Sequence, residues 1–372
     1  MVATCRGLVL GGYEVSAGAT ARPAAGHWSR CPSSRPRLPD PVRDSFAFVD
    51  ALEQIVRDDG HSILIPGGDA SLLAISANRE RLEPHVRIGL PPHEVVQRTV
   101  DKLALLEAAA GAGLECPETI PCSDLDQARM VAREFGYPVL LKPRTTVFPL
   151  GASMGQIQSA AVSDEEALER RFPGFGDPCL VQRCEQGPIY SCSGVIVNGE
   201  LLGFATSRYR RTYPPDGGPV SFSETVDPPA GLRSKVESLL NGLGWQGLFE
   251  VELVHRGGQA FSTIDLNPRV FGSLWLVINA GAPLPVIWCD WLLGRRPSPA
   301  VTARAGMRYR WEDADARHLL WQLRRGRLRA AASVIRPRRH VVHAYFWRRD
   351  PAPLLARLLY MARQRLTRRK RA

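Results

Sequence analysis

The stretch EVELVHRGGQAFSTIDLNPR occupies residues 250–269. Two runs of apolar and β-branched residues flank Gly257 and Gly258, the pattern of an antiparallel hairpin. A two-residue turn at those glycines pairs Glu252 with Thr263 and Glu250 with Asp265. Side chains alternate along a strand, so Glu250, Glu252, Asp265 and Asn267 share one face. Carboxylates so placed repel one another unless cations lie among them, and an oxygen-only donor set suits Mg²⁺ or Mn²⁺. A solvated outer face would have the same spacing, and the spacing does not choose between Glu250 and Glu252. Just beyond, Arg269 puts a guanidinium next to the amide, an order able to hold a metal on one side and a phosphoryl group on the other.

Working outward, residues 139–142 form a buried strand that ends at Lys142, and the loop from Arg144 to Gly155 reads as a lid over phosphates. Asp101 and Lys102 lie on a helix running from about residue 94 to 110. Ser123 is the expected N-cap of a helix whose stripe is Leu125, Ala128, Val131 and Phe135, ended by Gly136. Residues 179–182 form another short strand. Asn198 and Gly199 mark a first hairpin between 190–197 and 200–207. A helix spans 232–243. Toward the N-terminus, residues 7–12 read as a strand closing in a glycine turn, 45–56 as a helix, 61–65 as a strand and 70–82 as a helix. This is a small α/β unit that looks truncated, with no strand-like run between residues 11 and 40.

Composition narrows the classes. The chain has 372 residues, 44% hydrophobic and 23% charged, the balance of an ordinary globular protein. Residues 301–372 carry 20 Arg and Lys against 4 Asp and Glu, and the rest carries 28 against 33. The body is therefore slightly acidic, and no specific nucleic-acid partner is expected. The basic tail contains Leu354, Leu355, Leu358 and Leu359 among arginines, the pattern of an amphipathic helix suited to weak contact with an anionic membrane surface. No apolar run reaches the ~18 residues of a membrane span, and a cytoplasmic location is expected. The eight cysteines form no C-x-x-C pair, which argues against zinc and for reduced thiols. Only four of the 48 basic residues are lysine: Lys102, Lys142, Lys235 and Lys370. Where arginine is used almost everywhere, a kept lysine marks a place for a compact point charge.

The ordered set of Asp101–Leu103, Pro117–Thr119, Gly136–Arg144, Leu180–Gln182, Gly244–Gly247, Val251–Leu253 and Asp265–Arg269 resembles the ATP-grasp superfamily, and within it the carbamoyl-phosphate-synthase-like carboxylate–amine ligases. The resemblance runs from about residue 8 to 296. It implies an α/β (α+β) ATP-grasp fold with a truncated N-terminal α/β domain over 1–93, an ATP-grasp domain over 94–298 and a basic, mostly helical extension over 299–372. It implies ATP and Mg²⁺ as cofactors, with Lys102 and Lys142 on the phosphates and Gln182, Arg183, Cys184 and Glu185 along the adenine hinge. Ser153 falls in the phosphate lid. Glu252, Asp265 and Asn267 become the metal ligands, with Arg269 and Lys142 acting on the transferring phosphoryl group.

The implied activity joins a small-molecule carboxylate, activated as an acyl phosphate, to an amine, in an enzyme that could work as a dimer. Three departures stand out. Asp265 replaces the usual Glu, the hinge lacks its ribose-binding acid with Glu185 as the nearest substitute, and the N-terminal domain is short. The last two keep open a non-catalytic ATP-binding sensor, and a third reading is a binder of anionic surfaces acting through the tail. Arg210, beside Arg208 and Arg211, is a candidate for an anionic substrate.

Overall fold

The computed structural model describes residues 1–176, 178–215, 217–295 and 300–369, with side chains through residue 364. The expected domain boundary at 298/299 and Lys370 lie outside the described residues.

An eight-stranded sheet forms the body. Its order is Ala260–Asn267, Gly247–Gly257, Ile189–Val197, Glu200–Thr212, Val220–Val226, Arg308–Arg310 and Val341–His343, with Val301–Thr302 pairing on the Glu200–Thr212 strand. Both faces of the sheet are apolar and covered. Phe249 and Val251 point to the side packed by Leu239, Leu240 and Leu243 of the Leu232–Leu243 helix. Leu248 points to the other, against Leu274, Val277 and Trp288 of the helices Leu274–Asn279 and Leu284–Leu292. A smaller sheet, ordered Thr119–Cys122, Cys179–Arg183, Val139–Pro143 and Ala160–Val162, is backed by the Leu125–Phe135 helix through Ala128, Val131 and Phe135.

Several elements match the sequence reading in type and place, among them the Val139–Pro143 strand and the Leu232–Leu243 helix. The first hairpin turns at Asn198 and Gly199, both at positive φ (49° and 86°), the conformation for which that pair is favoured. Other expectations need correction. Residues 7–12 are not a strand and turn: the chain opens with a helix, Val2–Leu10. A short apolar run has no period that separates the two states, and here Cys5 and Leu8 bury against Val15 and Cys289. The expected helix over 94–110 is two helices, His93–Val100 and Lys102–Gly111. Asp101 stands between them in extended conformation and caps the second by accepting from Leu103 N at 2.9 Å. Asp124, not Ser123, caps the next helix through Gln127 N at 2.8 Å. The phosphate lid is a β-hairpin, Val147–Leu150 with Ser153–Gln156, rather than an open loop. The N-terminal unit has a strand the sequence reading did not expect, Arg87–Ile88, which pairs in parallel with Ile63–Leu64.

The last segment is not a separate tail. Arg308–Arg310 and Val341–His343 extend the main sheet. Its four acidic residues all serve ion pairs or capture backbone amides: Asp313 pairs with Arg317 and Arg357, Asp315 with Arg211 and Arg310, and Glu312 accepts from Tyr345 N and Phe346 N. The fourth, Asp350, is 1% exposed and holds the fully buried Arg6 of the first helix at 3.0 Å. Ser29 Oγ and Arg30 N also donate to it, at 2.7 and 3.0 Å. The helix Ala352–Arg369 exposes Leu355, Leu358 and Leu359 as its sequence pattern leads one to expect. Among the described residues no helix is long and apolar enough to cross a membrane.

Breaking one side of a buried ion pair leaves the other charge without compensation, at a cost of roughly 3–5 kcal/mol. Arg6→Ala and Asp350→Ala should each destabilise the protein on that scale in denaturant unfolding, and the double variant should lose little more than either single one. Removal of residues 350–372 should do the same, so additive single losses, or a truncated chain as stable as the full one, would contradict this account.

Candidate active site

The carboxylate hairpin sits at the edge of the main sheet, with Glu252 opposite Asp265 and Glu250 opposite Asn267. The expected partners, Thr263 for Glu252 and Asp265 for Glu250, are displaced by two residues. The turn lies at Gly258 and Gln259, and the ladder is irregular between Glu252 and Leu253 and again between His255 and Gly257. A two-residue shift keeps every side chain on its face. The four polar side chains therefore stay together although their pairing changes.

The two glutamates have different surroundings. Glu250 is 4% exposed and accepts from Ser191 Oγ at 2.9 Å, Ser273 Oγ at 3.0 Å and Asn267 Nδ2 at 3.2 Å. Burial pushes its carboxyl above the usual range, and those donors together with Arg269 oppose the shift. Three donors occupy most of what a carboxylate can accept. Glu252 accepts from the Tyr209 hydroxyl at 2.7 Å. Its carboxyl is pushed up to about 8, first by burial and then by the charges of Glu250 and Asp265, against Tyr209 and Lys142. A carboxylate so raised needs a nearby cation to be charged at neutral pH.

Two lysines supply positive charge at this place. Lys142, at the end of the Val139–Pro143 strand, is 8% exposed and donates to Ile264 O at 2.9 Å, joining the small sheet to the large one. Lys102, the first residue of its helix, donates to Thr146 Oγ1 at 3.0 Å. Burial lowers both ammonium groups, and the nearby charge of Asp265 opposes the shift in each. Asp101, which caps the Lys102 helix, also holds Arg144 at 2.7 Å. A lysine held away from water is costly without an anion, so buried Lys142 and half-buried Lys102, both within the field of Asp265, mark a site suited to more negative charge.

Arg269 stands on the other side of Asn267. Asp69, the first residue of the Asp69–Ala77 helix, holds it in a fork, Nε to Oδ1 at 2.5 Å and Nη2 to Oδ2 at 3.1 Å. Asp69 also lies close enough to Lys102 to raise its pKa against the effect of burial.

Along the hinge the outcome is mixed. Gln182 is 2% exposed and donates to Thr119 Oγ1 at 2.8 Å, while its Oε1 is buried without a partner. The Arg183 guanidinium pairs with Glu118 and donates to Phe135 O at 2.8 Å. Cys184 is half-buried, its thiol pushed up by burial. Glu185 accepts from Ser262 Oγ at 3.2 Å and lies 3.5 Å from Arg256, so the hairpin already engages the nearest substitute for the ribose acid. Ser153 donates to Leu150 O at 2.9 Å inside its own turn, and that turn docks on the N-terminal unit through Ser45 N to Ala152 O at 2.7 Å. Arg210 pairs with Glu224 and Arg211 with Asp315, which ties this arginine cluster to the sheet and the C-terminal segment.

Lys102, Lys142, Glu252, Asp265, Asn267 and Arg269 thus come together, whereas Ser153, Arg183 and Glu185 spend their side chains on local partners. Sequence reasoning missed Asp69, Tyr209, Ser191 and Ser273. Only Asp69 left a trace, as the acidic residue after Pro66, Gly67 and Gly68 at a helix start. Among the described residues no group of three or more His, Cys, Asp or Glu could hold a metal unaided. A two-carboxylate set with an amide suits Mg²⁺ that takes its remaining ligands from phosphates and water. The two lysines and the unpartnered Gln182 oxygen likewise fit a nucleotide's phosphates and a donor on its base.

No family model matches the chain. It is 23% identical over 261 residues to the carbamoyl phosphate synthase large chain of Thermotoga neapolitana, covering 68% of this chain and 23% of that protein. It is 30% identical over 141 residues to the biotin carboxylase of Halalkalibacterium halodurans, covering 36% of this chain and 28% of that protein. The chain therefore spans about a quarter of the length of these curated relatives. Among solved structures, the N5-carboxyaminoimidazole synthetase of Staphylococcus aureus superposes with a TM-score of 0.61 at 14% identity, covering 82% of this chain and 77% of that one. The biotin carboxylase domain dimer of Hydrogenobacter thermophilus 2-oxoglutarate carboxylase, solved with MgADP, gives 0.62 at 16% identity, covering 82% and 71%. The chain has the ATP-grasp fold, and in sequence it resembles carbamoyl phosphate synthase and biotin carboxylase of that superfamily.

Proposed function

We propose that the protein is a Mg-ATP-dependent ligase that phosphorylates a small carboxylate to an acyl phosphate and couples it to an amine, releasing ADP and phosphate. The observation that carries this reading is that half-buried Lys102 and buried Lys142 both feel the charge of Asp265, which stands opposite Glu252 on the hairpin, with Asn267 opposite Glu250. Simple nucleotide binding does not call for the metal-side carboxylates, whereas phosphoryl transfer does. Mg-ATP, when bound, supplies the phosphoryl group and the divalent charge. Glu252, Asp265 and Asn267 would hold the metal. Lys102 and Lys142 fix positive charge at the phosphates, and Tyr209 and Glu250 orient Glu252 and Asn267 from behind. Arg269 stabilises the acyl phosphate. A sensor that binds ATP without turnover is the second reading, favoured by the grip of Asp69 on Arg269 and by the hinge without a free acid.

A metal ligand strengthens its interaction as charge develops in transfer, so its loss should harm turnover more than affinity. A screen of amino acids and hydroxy acids with amines for stimulated ADP release tests the ligase directly. Asp265→Asn and Glu252→Gln should each lower turnover by about a hundredfold or more, the scale of losing one electrostatic stabiliser. Lys142→Ala should weaken ATP binding as well. Mg-ATP binding with no release from any pair would leave the sensor.

Glu252 also sets a pH dependence. Its folded pKa of about 8 lies above its ordinary value of 4.5, so the folded state binds the extra proton between them. Stability of the metal-free protein should therefore fall as pH rises from 4.5 toward 8. Melting curves in chelator should show that slope, and Glu250→Gln should flatten it by removing a charge that raises Glu252. A slope unchanged in the variant would contradict the coupling. At the hinge, deoxy-ATP should serve nearly as well as ATP, and a strong preference for ATP that Glu185→Gln abolishes would show Glu185 on the ribose.

A further inference from the structure

A cavity of about 1350 Å³, lined mainly by the N-terminal unit, reaches Asp69 and the segment that follows Arg269. It exceeds the ~300–1,000 Å³ of most small-molecule pockets. Gly67, Gly68, Asp69, Ser71, Phe271 and Gly272 line it, so one wall is the N-terminal unit's glycine turn and another is the segment that follows Arg269. Asp69 is the group that meets both sides. It belongs to the N-terminal unit, yet it holds Arg269 in a fork and acts on Lys102 across the cleft.

An arginine that serves an anionic acyl phosphate cannot give the same donors to a carboxylate at the same moment. When the anion takes the guanidinium, Asp69 loses two charge-assisted hydrogen bonds and faces the cavity as an unpaired partly buried carboxylate. Such a group is costly until a cation reaches it. The cation that must arrive at this stage is the acceptor.

We propose that Asp69 is the cation-binding group of the acceptor subsite, and that the acceptor is a primary amine that enters as its ammonium with a body large enough to need this cavity. The proposal rests on the ligase reading. It explains the cavity's place between the glycine turn and Arg269, and it gives the Asp69–Arg269 pair a working role: the resting pair separates into two pairs with substrate, Arg269 with the acyl phosphate and Asp69 with the ammonium. Ammonia alone would leave most of the space unfilled. Gly67 allows an independent probe of that space. A Cβ built there meets nothing within 4 Å, and the residue has no positive φ to strain, so Gly67→Val narrows the cavity without disturbing the fold.

The test measures ADP release with the carboxylate found in the screen, varying ammonium chloride, agmatine, phenethylamine and hydroxylamine, the last largely uncharged at neutral pH. In Asp69→Asn the KM for agmatine and phenethylamine should rise roughly ten- to a hundredfold, the scale of one lost charged hydrogen bond. The KM for hydroxylamine should rise far less, and Asp69→Glu should recover part of the loss. Gly67→Val should raise the KM for phenethylamine more than that for ammonium. Equal losses for charged and uncharged nucleophiles, an unchanged amine KM in Asp69→Asn, or ammonium as the best acceptor would each overturn the proposal while leaving the ligase standing. ADP release from no mixture would instead sink the ligase reading, and the acceptor subsite with it.

Discussion

The arrangement depends on keeping several carboxylates together inside a sheet edge that water does not reach freely. Glu250, Glu252 and Asp265 share one face, and burial resists the charge of both glutamates. The fold answers in two ways. Hydroxyls from three separate elements, Ser191, Ser273 and Tyr209, approach the glutamates from behind. The charges of Lys102 and Lys142 act on Asp265. The sheet order, the helix that begins after Ser273 and the joint at Asp101 can all be understood as placing those groups around one set of acids. A site in which burial opposes the charge of acids and lysines alike gains most from a ligand that brings both metal and phosphates.

Much of this was legible in the sequence because it is local. The Leu232–Leu243 helix has a full apolar stripe, and the Val139–Pro143 strand is a compact buried run before a proline. The shared face of the carboxylates survived a wrong register because period-two alternation is insensitive to a shift of two. The scarcity of lysine drew attention to four positions, and the family resemblance picked out Lys102 and Lys142, both of which feel the charge of Asp265.

What stayed hidden was set by distant partners. Residues 2–10 are too short and apolar to declare helix or strand, and packing on Val15 and Cys289 settles them. The strands at 308–310 and 341–343 are three residues each, below what alternation can reveal, and exist because an edge of the main sheet needed pairing. Glu185 has the right charge for a ribose contact, but Arg256 and Ser262 take it up. Asp69 could be assigned only once its position beside Arg269, 200 residues away, was known.

The contact between Arg6 and Asp350 spans 344 residues. During synthesis the helix that carries Arg6 is made long before the carboxylate that neutralises it. Contacts of such separation are slow to close, because the entropy of the intervening loop is lost before the pairing rewards it. The ribosome therefore exposes that helix with an unmatched guanidinium while the residues between Arg6 and Asp350 are made. For this element the order of docking runs against the order of synthesis: the Arg6 helix is made early, yet it gains its buried partner only after the strands of the sheet that lie between them in sequence.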